Sequence, residues 1–328
     1  MREYKNKNPK FTDSINLIEP TDTNHADNVI AADICNFENT LANKESIEKL
    51  SDKVNKDTEA LNKQSNQIYE GVNLVEKFKK EIRNFSDEWA WIKDRIEKNN
   101  YQGLHVGDYI PLVLNNAGSE QFEMQIAGID TYTNTGDTPN IGHHIDFISR
   151  NCMKIGYQWN KSQSNNGKSS SNINPYTSSD IFDTLVHFFE SNSFPQNVKS
   201  VIRKKVMLAE GRFDSSGKKQ LVNNSNNRTI VNVGPLWLPT EYEVFGSCIW
   251  GTPGWSVGSA IQYPIFANNA KSRIKKEGND GTRREWWLAT AAANETNMAC
   301  HVGYLGYPDY GDVMTPHFVP LCFRIAAQ

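Results

Sequence analysis

Residues 47–96 read IEKLSDKVNKDTEALNKQSNQIYEGVNLVEKFKKEIRNFSDEWAWIKDRI, and their spacing decides how the rest of the chain is organised. With Ile47 as position a of a seven-residue repeat, every later a position is apolar: Val54, Leu61, Ile68, Val75, Ile82, Trp89 and Ile96. The d positions are Leu50, Asp57, Gln64, Gly71, Phe78, Phe85 and Ile92. A repeat held this long leaves an apolar seam that a lone helix does not cover, and such helices wind left-handed around partners. At about 1.5 Å per residue the expected rod is roughly 75 Å long. Asp57, Gln64 and Gly71 interrupt the apolar core at d, and polar core residues weaken a coiled coil but fix its register and strand number. Phe78 and Phe85 at d and Trp89 at a need room, which favours three strands and a homotrimer. The segment has no Pro and a single Gly; Gly71, costing about 1 kcal/mol against Ala in a helix, is its weakest point.

The chain has 328 residues, a net charge of −3 and a pI near 6.2. That balance supplies no basic stripe for phosphate contacts, so nucleic-acid binding is not expected. Hydrophobic residues make up 38% of the chain and mean hydropathy is −0.61, low for a globular enzyme but in keeping with a rod and polar loops. No apolar run reaches the length of a membrane span, so no membrane insertion is expected. The N-terminal MREYKNKNPKFTDS is basic but has no apolar core of a secretory signal. Cys35, Cys152, Cys248, Cys300 and Cys322 form no CxxC pair and are odd in number, which reads as buried free thiols of a protein made in a reducing cytoplasm.

Outward from the rod, residues 1–46 form a polar segment with short apolar pieces, read as a particle-attachment module. Residues 47–98 are the rod, and Asn99–Gly103 breaks it. From Leu104 the period changes. Val106–Leu114, Gln121–Ile129 and His144–Ser149 read as strands. Asp180–Glu190 reads as an amphipathic helix capped by Ser178 or Ser179, and Asn197–Met207 as a second helix. The stretch from Leu236 holds five of the eight tryptophans among Gly, Pro and Asn, the composition of a loop-rich domain pinned by buried rings. Trp286 and Trp287 are neighbours in a strand, so one is expected in the core and the other faces the opposite side. The expected class is α+β: a long N-terminal coiled-coil helix followed by a loop-rich head over residues 104–328.

Three motifs in the head occur in order: Leu236-Trp-Leu-Pro-Thr-Glu-Tyr-Glu-Val-Phe-Gly246, Trp286-Trp-Leu-Ala-Thr290 and Val319-Pro-Leu-Cys-Phe-Arg-Ile325. Together they resemble a C-type-lectin-like domain of the kind found in clostridial phage and surface proteins, similar to the variable proteins of diversity-generating retroelements. Ile15–Asp27 and Leu41–Lys44 resemble the start of tail-fibre and baseplate proteins of phages of Gram-positive bacteria. The resemblance implies a phage or phage-tail-like tail fibre or receptor-binding protein that is not an enzyme and needs no cofactor. It would be made in the bacterial host cytoplasm and carried on the virion. Its N-terminus would join tail or baseplate proteins, and its head would bind a surface receptor, glycan or protein. A structural baseplate component and a surface-glycan or ester hydrolase are the alternatives. Calcium-dependent lectins carry an EPN or QPD loop; neither is present, so calcium-dependent sugar binding is not carried over.

The loop region from Ala291 to Pro320 carries the best binding candidates: Asn294, Glu295, Asn297, His301, Tyr304, Tyr307, Tyr310 and His317. Tyrosine gives rigid amphipathic contact, and small polar residues adapt around it. Trp250 and Trp255 flank Gly251-Thr-Pro-Gly254, a turn able to present them. Two further patterns carry less. Gly254-Trp-Ser-Val-Gly258 matches a nucleophile elbow, but no βαβ alternation precedes it. His143-His144-x-Asp146 has metal-ligand residue types, yet in a strand His143 faces away from the other two, so no metal is expected there.

Overall fold

The computed structural model of the chain describes residues 2–4, 15–17, 26–65, 69–116, 118–133, 142–165, 174–210, 228–251, 261–293 and 295–327. The chain divides into two compact units, Met1–Tyr69 and Glu70–Gln328. In the first unit, β1 (Arg2–Tyr4) pairs antiparallel with β2 (Ile15–Leu17), and α1 (Ala26–Ser65) is a single helix of 40 residues. Ile47, Leu50 and Val54, successive a, d and a positions, are 63%, 62% and 59% exposed on it. Leu61's side chain and Ile68 lie outside the described residues.

The unbroken helix expected over residues 47–98 is not what forms, and the reason is local. Gly71 adopts φ +78°, and a Cβ there would meet the Gly107 carbonyl oxygen at 1.9 Å. The chain enters the second unit at that point: the Val72 N–H donates to Asp108 Oδ1 (3.0 Å) and the Tyr109 N–H to the Val72 carbonyl (3.0 Å). Three short helices follow, α2 (Leu74–Lys77), α3 (Lys79–Ile82) and α4 (Glu88–Glu97). Asn73 caps α2 through Val75 N–H, and Asp87 caps α4 by accepting from the Trp89 and Ala90 N–H groups. Each cap starts a new helix where the heptad reading continues the old one.

The apolar repeat in this half is real, but its partner is the head itself. Trp89, Ile92 and Ile96 are fully buried, and Val75, Phe78, Ile82 and Phe85 pack partly buried against the same core. Trp89 sits edge-on to Phe147 and Phe323, at 5.9 and 5.5 Å between ring centroids. Arg95 folds back over the rings of Phe78 and Trp91 and donates to Glu81 at 2.9 Å. A seven-residue apolar spacing requires burial on one helix face; it does not say whether a partner helix or the chain's own sheet provides it. These seven residues are therefore core residues of the second unit, and the seam left uncovered along α1 is confined to its own length.

The second unit is α+β. Its main sheet contains β3 (Tyr109–Val113), β4 (Gln121–Ile129) and β5 (His144–Cys152). The chain then forms α5 (Asp180–Glu190), capped by the Ser179 hydroxyl, and α6 (Gln196–Val201). The second helix was expected to reach Met207; instead it stops at Val201 and the chain becomes β6 (Ile202–Arg203) and β7 (Val206–Glu210). β7 pairs with β8 (Arg228–Asn232). After α7 (Glu241–Phe245) and α8 (Pro264–Asn268), β9 (Lys275–Lys276) pairs with β10 (Arg283–Arg284). A three-stranded antiparallel sheet follows, β11 (Trp286–Ala291), β12 (Met298–Val302) and β13 (Pro308–Asp312).

The last strand, β14 (Pro320–Ala326), does not extend that smaller sheet. It inserts between β5 and β6, giving the antiparallel order β3-β4-β5-β14-β6. All seven of its residues are buried. Ile145 and Phe147 on β5 and Phe323 and Ile325 on β14 face the side covered by Trp89, while Asp146 and Arg324 point to the other side. Trp286 and Trp287, on opposite faces of β11, are both buried. Trp286 stacks on Phe266 and donates from Nε1 to the Arg273 carbonyl (2.9 Å), and Trp287 donates to the Tyr157 carbonyl (2.7 Å). None of the five cysteines is in a disulfide; Cys152, Cys300 and Cys322 are buried as expected, whereas Cys248 is half-buried and Cys35, on α1, is exposed. No helix among the described residues is long and apolar enough to cross a membrane.

Candidate functional site

The surface most suited to binding is built on the β11–β12–β13 sheet, and the Leu-Pro-Thr-Glu-Tyr-Glu motif fixes its neighbouring loop. Thr240 and Glu243 form a capping box at the start of α7. Between them, the buried Glu241 carboxylate accepts three backbone N–H bonds, from Ile249, Trp250 and Gly251, each at 2.9 Å. The Glu241 N–H donates to Thr290 Oγ1 on β11 (2.9 Å), tying loop, helix and sheet together. Gly251 is required there, since a Cβ would meet Thr290 Cγ2 at 2.6 Å. Charge-assisted bonds of this kind are the strong ones, so Trp250 is held on a rigid backbone.

Trp250 is 41% exposed, lies on the Tyr310 ring at 4.8 Å and donates from Nε1 to the Pro308 carbonyl (3.2 Å). Tyr304 and Tyr307, 47% and 39% exposed, meet edge to face at 6.2 Å on the turn between β12 and β13. Gly303 makes room for this, because any side chain would collide with the Tyr307 ring at 2.4 Å. Glu295 is exposed, and Asn297 is half-buried with its amide donating to Asp312 Oδ2 (3.2 Å). Trp255 and Asn294 lie outside the described residues, as does Ser256 of the elbow pattern.

His301 and His317 are not presented outward. They are 4% and 8% exposed and lie ring against ring at 4.5 Å, with His317 edge-on to Trp287 at 4.4 Å. His301 stands opposite Trp287 on one side and Asp309 on the other in the sheet register. The His317 backbone is clamped to Tyr157 by two hydrogen bonds of 2.8 and 3.1 Å. Between the imidazoles and solvent stands Glu285, with Oε2 3.2 Å from His317 Nδ1 and 4.0 Å from His301 Nε2. Asp309 Oδ2 is 3.7 Å from His301 Nε2. Burial pushes the imidazole of His301 down to about 4 and that of His317 to about 3, the neighbouring His301 adding to the effect on His317. Burial and the charge of Asp309 push the Glu285 carboxyl up. A cleft of about 430 Å³ opens beside the cluster, lined by Arg283, Arg284, Tyr304 and Phe318 as well as by Glu285 and His317.

Glu285 is the residue that sequence reasoning missed. It lies in the one-residue link between β10 and β11, two residues ahead of Trp287, and the register that puts His301 opposite Trp287 brings it to the histidines. The sequence pair His143 and His144 behaves differently. His143 Nδ1 meets Asp130 (2.8 Å), His144 Nε2 accepts from the Tyr132 N–H (3.2 Å), and Asp146 is taken by Arg324 and Tyr263. Those three donors do not converge.

A second polar group, with every side chain buried, sits on the face of the main sheet opposite Trp89. Arg324 pairs with Asp146 and Lys205 with Glu243; the Tyr263 hydroxyl bridges the two pairs, accepting from Lys205 and donating to Asp146, and the Tyr132 hydroxyl donates to Glu243. Burial raises the Asp146 carboxyl, but the guanidinium of Arg324 overrides it and holds it at about 2. The arrangement is that of a buried ionic scaffold. No family model, curated protein or solved structure matched the chain.

Proposed function

We propose that the chain is an attachment protein, a tail fibre or receptor-binding protein of a phage or phage-tail-like particle. Its head, a C-type-lectin-like domain by motif order, binds carbohydrate on a bacterial surface. The observation that carries this reading is the pair of aromatic groups, Trp250 with Tyr310 and Tyr304 with Tyr307, held outward on a sheet whose inner face is buried. Planar rings on a fixed backbone offer stacking area to sugar faces at little entropic cost. The exposed a and d residues of α1 supply the other half: three copies joined along Ile47, Leu50 and Val54 would present three heads at once, gaining avidity without a new contact. Catalysis is not required.

The test uses the full chain on an array of bacterial surface polysaccharides, with its mass measured by light scattering. Binding that is lost in Trp250→Ala and Tyr304→Ala, from a particle of trimer mass, is the expected result. A folded wild-type chain that binds no polysaccharide on the array removes the lectin reading, and a monomer removes the fibre.

A further inference from the structure

We propose that Glu285, His301 and His317 form a binding site for a first-row divalent transition metal ion, with Zn²⁺ as the leading candidate. One donor atom from each residue lies within 4.8 Å of the others. Tetrahedral zinc with bonds of about 2.0–2.1 Å holds its donors about 3.3 Å apart, so the pocket closes on an ion by shifts of about an ångström. Two imidazoles and one carboxylate are a zinc donor set that leaves a fourth position open. The same set suits Co²⁺ and Ni²⁺, whereas Ca²⁺ and Mg²⁺ prefer oxygen alone.

Three independent observations separate this group from a chance contact. His301 is buried, yet neither of its ring nitrogens has a hydrogen-bond partner among the described residues. Buried polar atoms are almost always paired, and an ion bound between these side chains would give His301 the partner it lacks. Gly311 on β13 sits against the other nitrogens of the two rings, 3.1 Å from His317 Nε2 and 3.3 Å from His301 Nδ1 for an added Cβ, so no side chain there crowds the imidazoles away from Glu285. Each backbone is fixed by the sheet: Glu285 through the Phe318 N–H to its carbonyl (3.0 Å), His301 within β12, and His317 through Tyr157. Asp309 Oδ2, 3.7 Å from the same His301 Nε2, stands where it could complete the coordination. The cleft beside Glu285 and His317 gives the open position a route to water or to an oxygen of a bound molecule.

This inference does not depend on the attachment reading, and its readout is metal binding alone. The full chain, stripped with chelator, is titrated with ZnCl₂ by calorimetry and with CoCl₂ by visible ligand-field absorption. The expected result is one ion per chain and a tetrahedral cobalt spectrum. Affinity should fall in His301→Gln and Glu285→Gln by more than the roughly 10–100-fold that loss of an outer partner costs. X-ray absorption of the zinc-loaded wild-type chain should show two imidazoles and carboxylate oxygen, and this keeps the test decisive if a variant fails to fold. Absence of binding at micromolar metal, binding unchanged in both folded variants, or a shell containing sulfur overturns the proposal.

Discussion

Arg324 and Asp146 face one another across the paired strands β14 and β5, with Nε and Nη2 of the guanidinium each donating to a carboxylate oxygen at 2.7 Å. Both side chains are buried, so the pair exchanges hydration for this bidentate geometry and for the Tyr263 hydroxyl that also donates to Asp146. Removing one partner strands the other's charge in the interior. Asp146→Ala is expected to destabilise the head by about 3–5 kcal/mol, whereas the double change Asp146→Leu with Arg324→Leu costs clearly less. Denaturant midpoints of the two variants decide it; equal losses would mean the pair itself, rather than the orphaned charge, sets stability.

Gly71 gives a test with opposite signs for the two descriptions of residues 47–98. In a continuous helix, Gly71→Ala stabilises by about 1 kcal/mol. In the structure the positive φ and the Gly107 backbone exclude a Cβ, so the same change destabilises the second unit, by about 1–3 kcal/mol for the conformation alone. Thermal melting of the variant is expected to move down; a rise would restore the long helix.

The two halves of the heptad run should also respond differently. Trp89→Ala opens a cavity between Phe147 and Phe323 and is expected to cost about 3–5 kcal/mol of head stability without altering mass. Val54→Asp, on an exposed face of α1, should leave the head's melting unchanged and lower the solution mass if copies associate there. Calorimetry and light scattering on both variants check this together.

His301 and His317 titrate near 6.5 in an unfolded chain and at about 4 and about 3 when folded. Between those values the unfolded chain holds more protons, so stability is full above about pH 6.5 and falls on acidification. The raised carboxyl of Glu285 opposes part of that slope. Denaturation in metal-free buffer is expected to show a lower midpoint at pH 5 than at pH 7, with the difference reduced in His301→Gln/His317→Gln. A flat wild-type profile contradicts it.

Legibility in the sequence followed the range of the interactions. Gln121–Ile129 and Asp180–Glu190 emerge with the boundaries their alternation and Ser cap imply, because strand period and capping are local. The fate of Trp89, Ile92 and Ile96 was not local. Their spacing demands burial, but the surface that provides it comes from distant strands, β5 and then β14 more than two hundred residues later. Exposed Trp250, Tyr304 and Tyr307 were legible as residue types in loops. The convergence of His301, His317 and Glu285 was not, since it depends on the β11–β12 register and on the bridge between Trp286 and Phe318.

The position of β14 has a consequence for synthesis. An interior strand of the main sheet is the last of that sheet to be translated, and until it emerges the nascent chain carries β5 with one long, apolar edge unpaired. Such an edge is a template for pairing with other chains. Distant pairings of this sort also close slowly, because the loop entropy must be overcome first. The head therefore completes only after translation has passed residue 326, and neighbouring nascent chains on one message are at risk of exchanging this strand before each has captured its own.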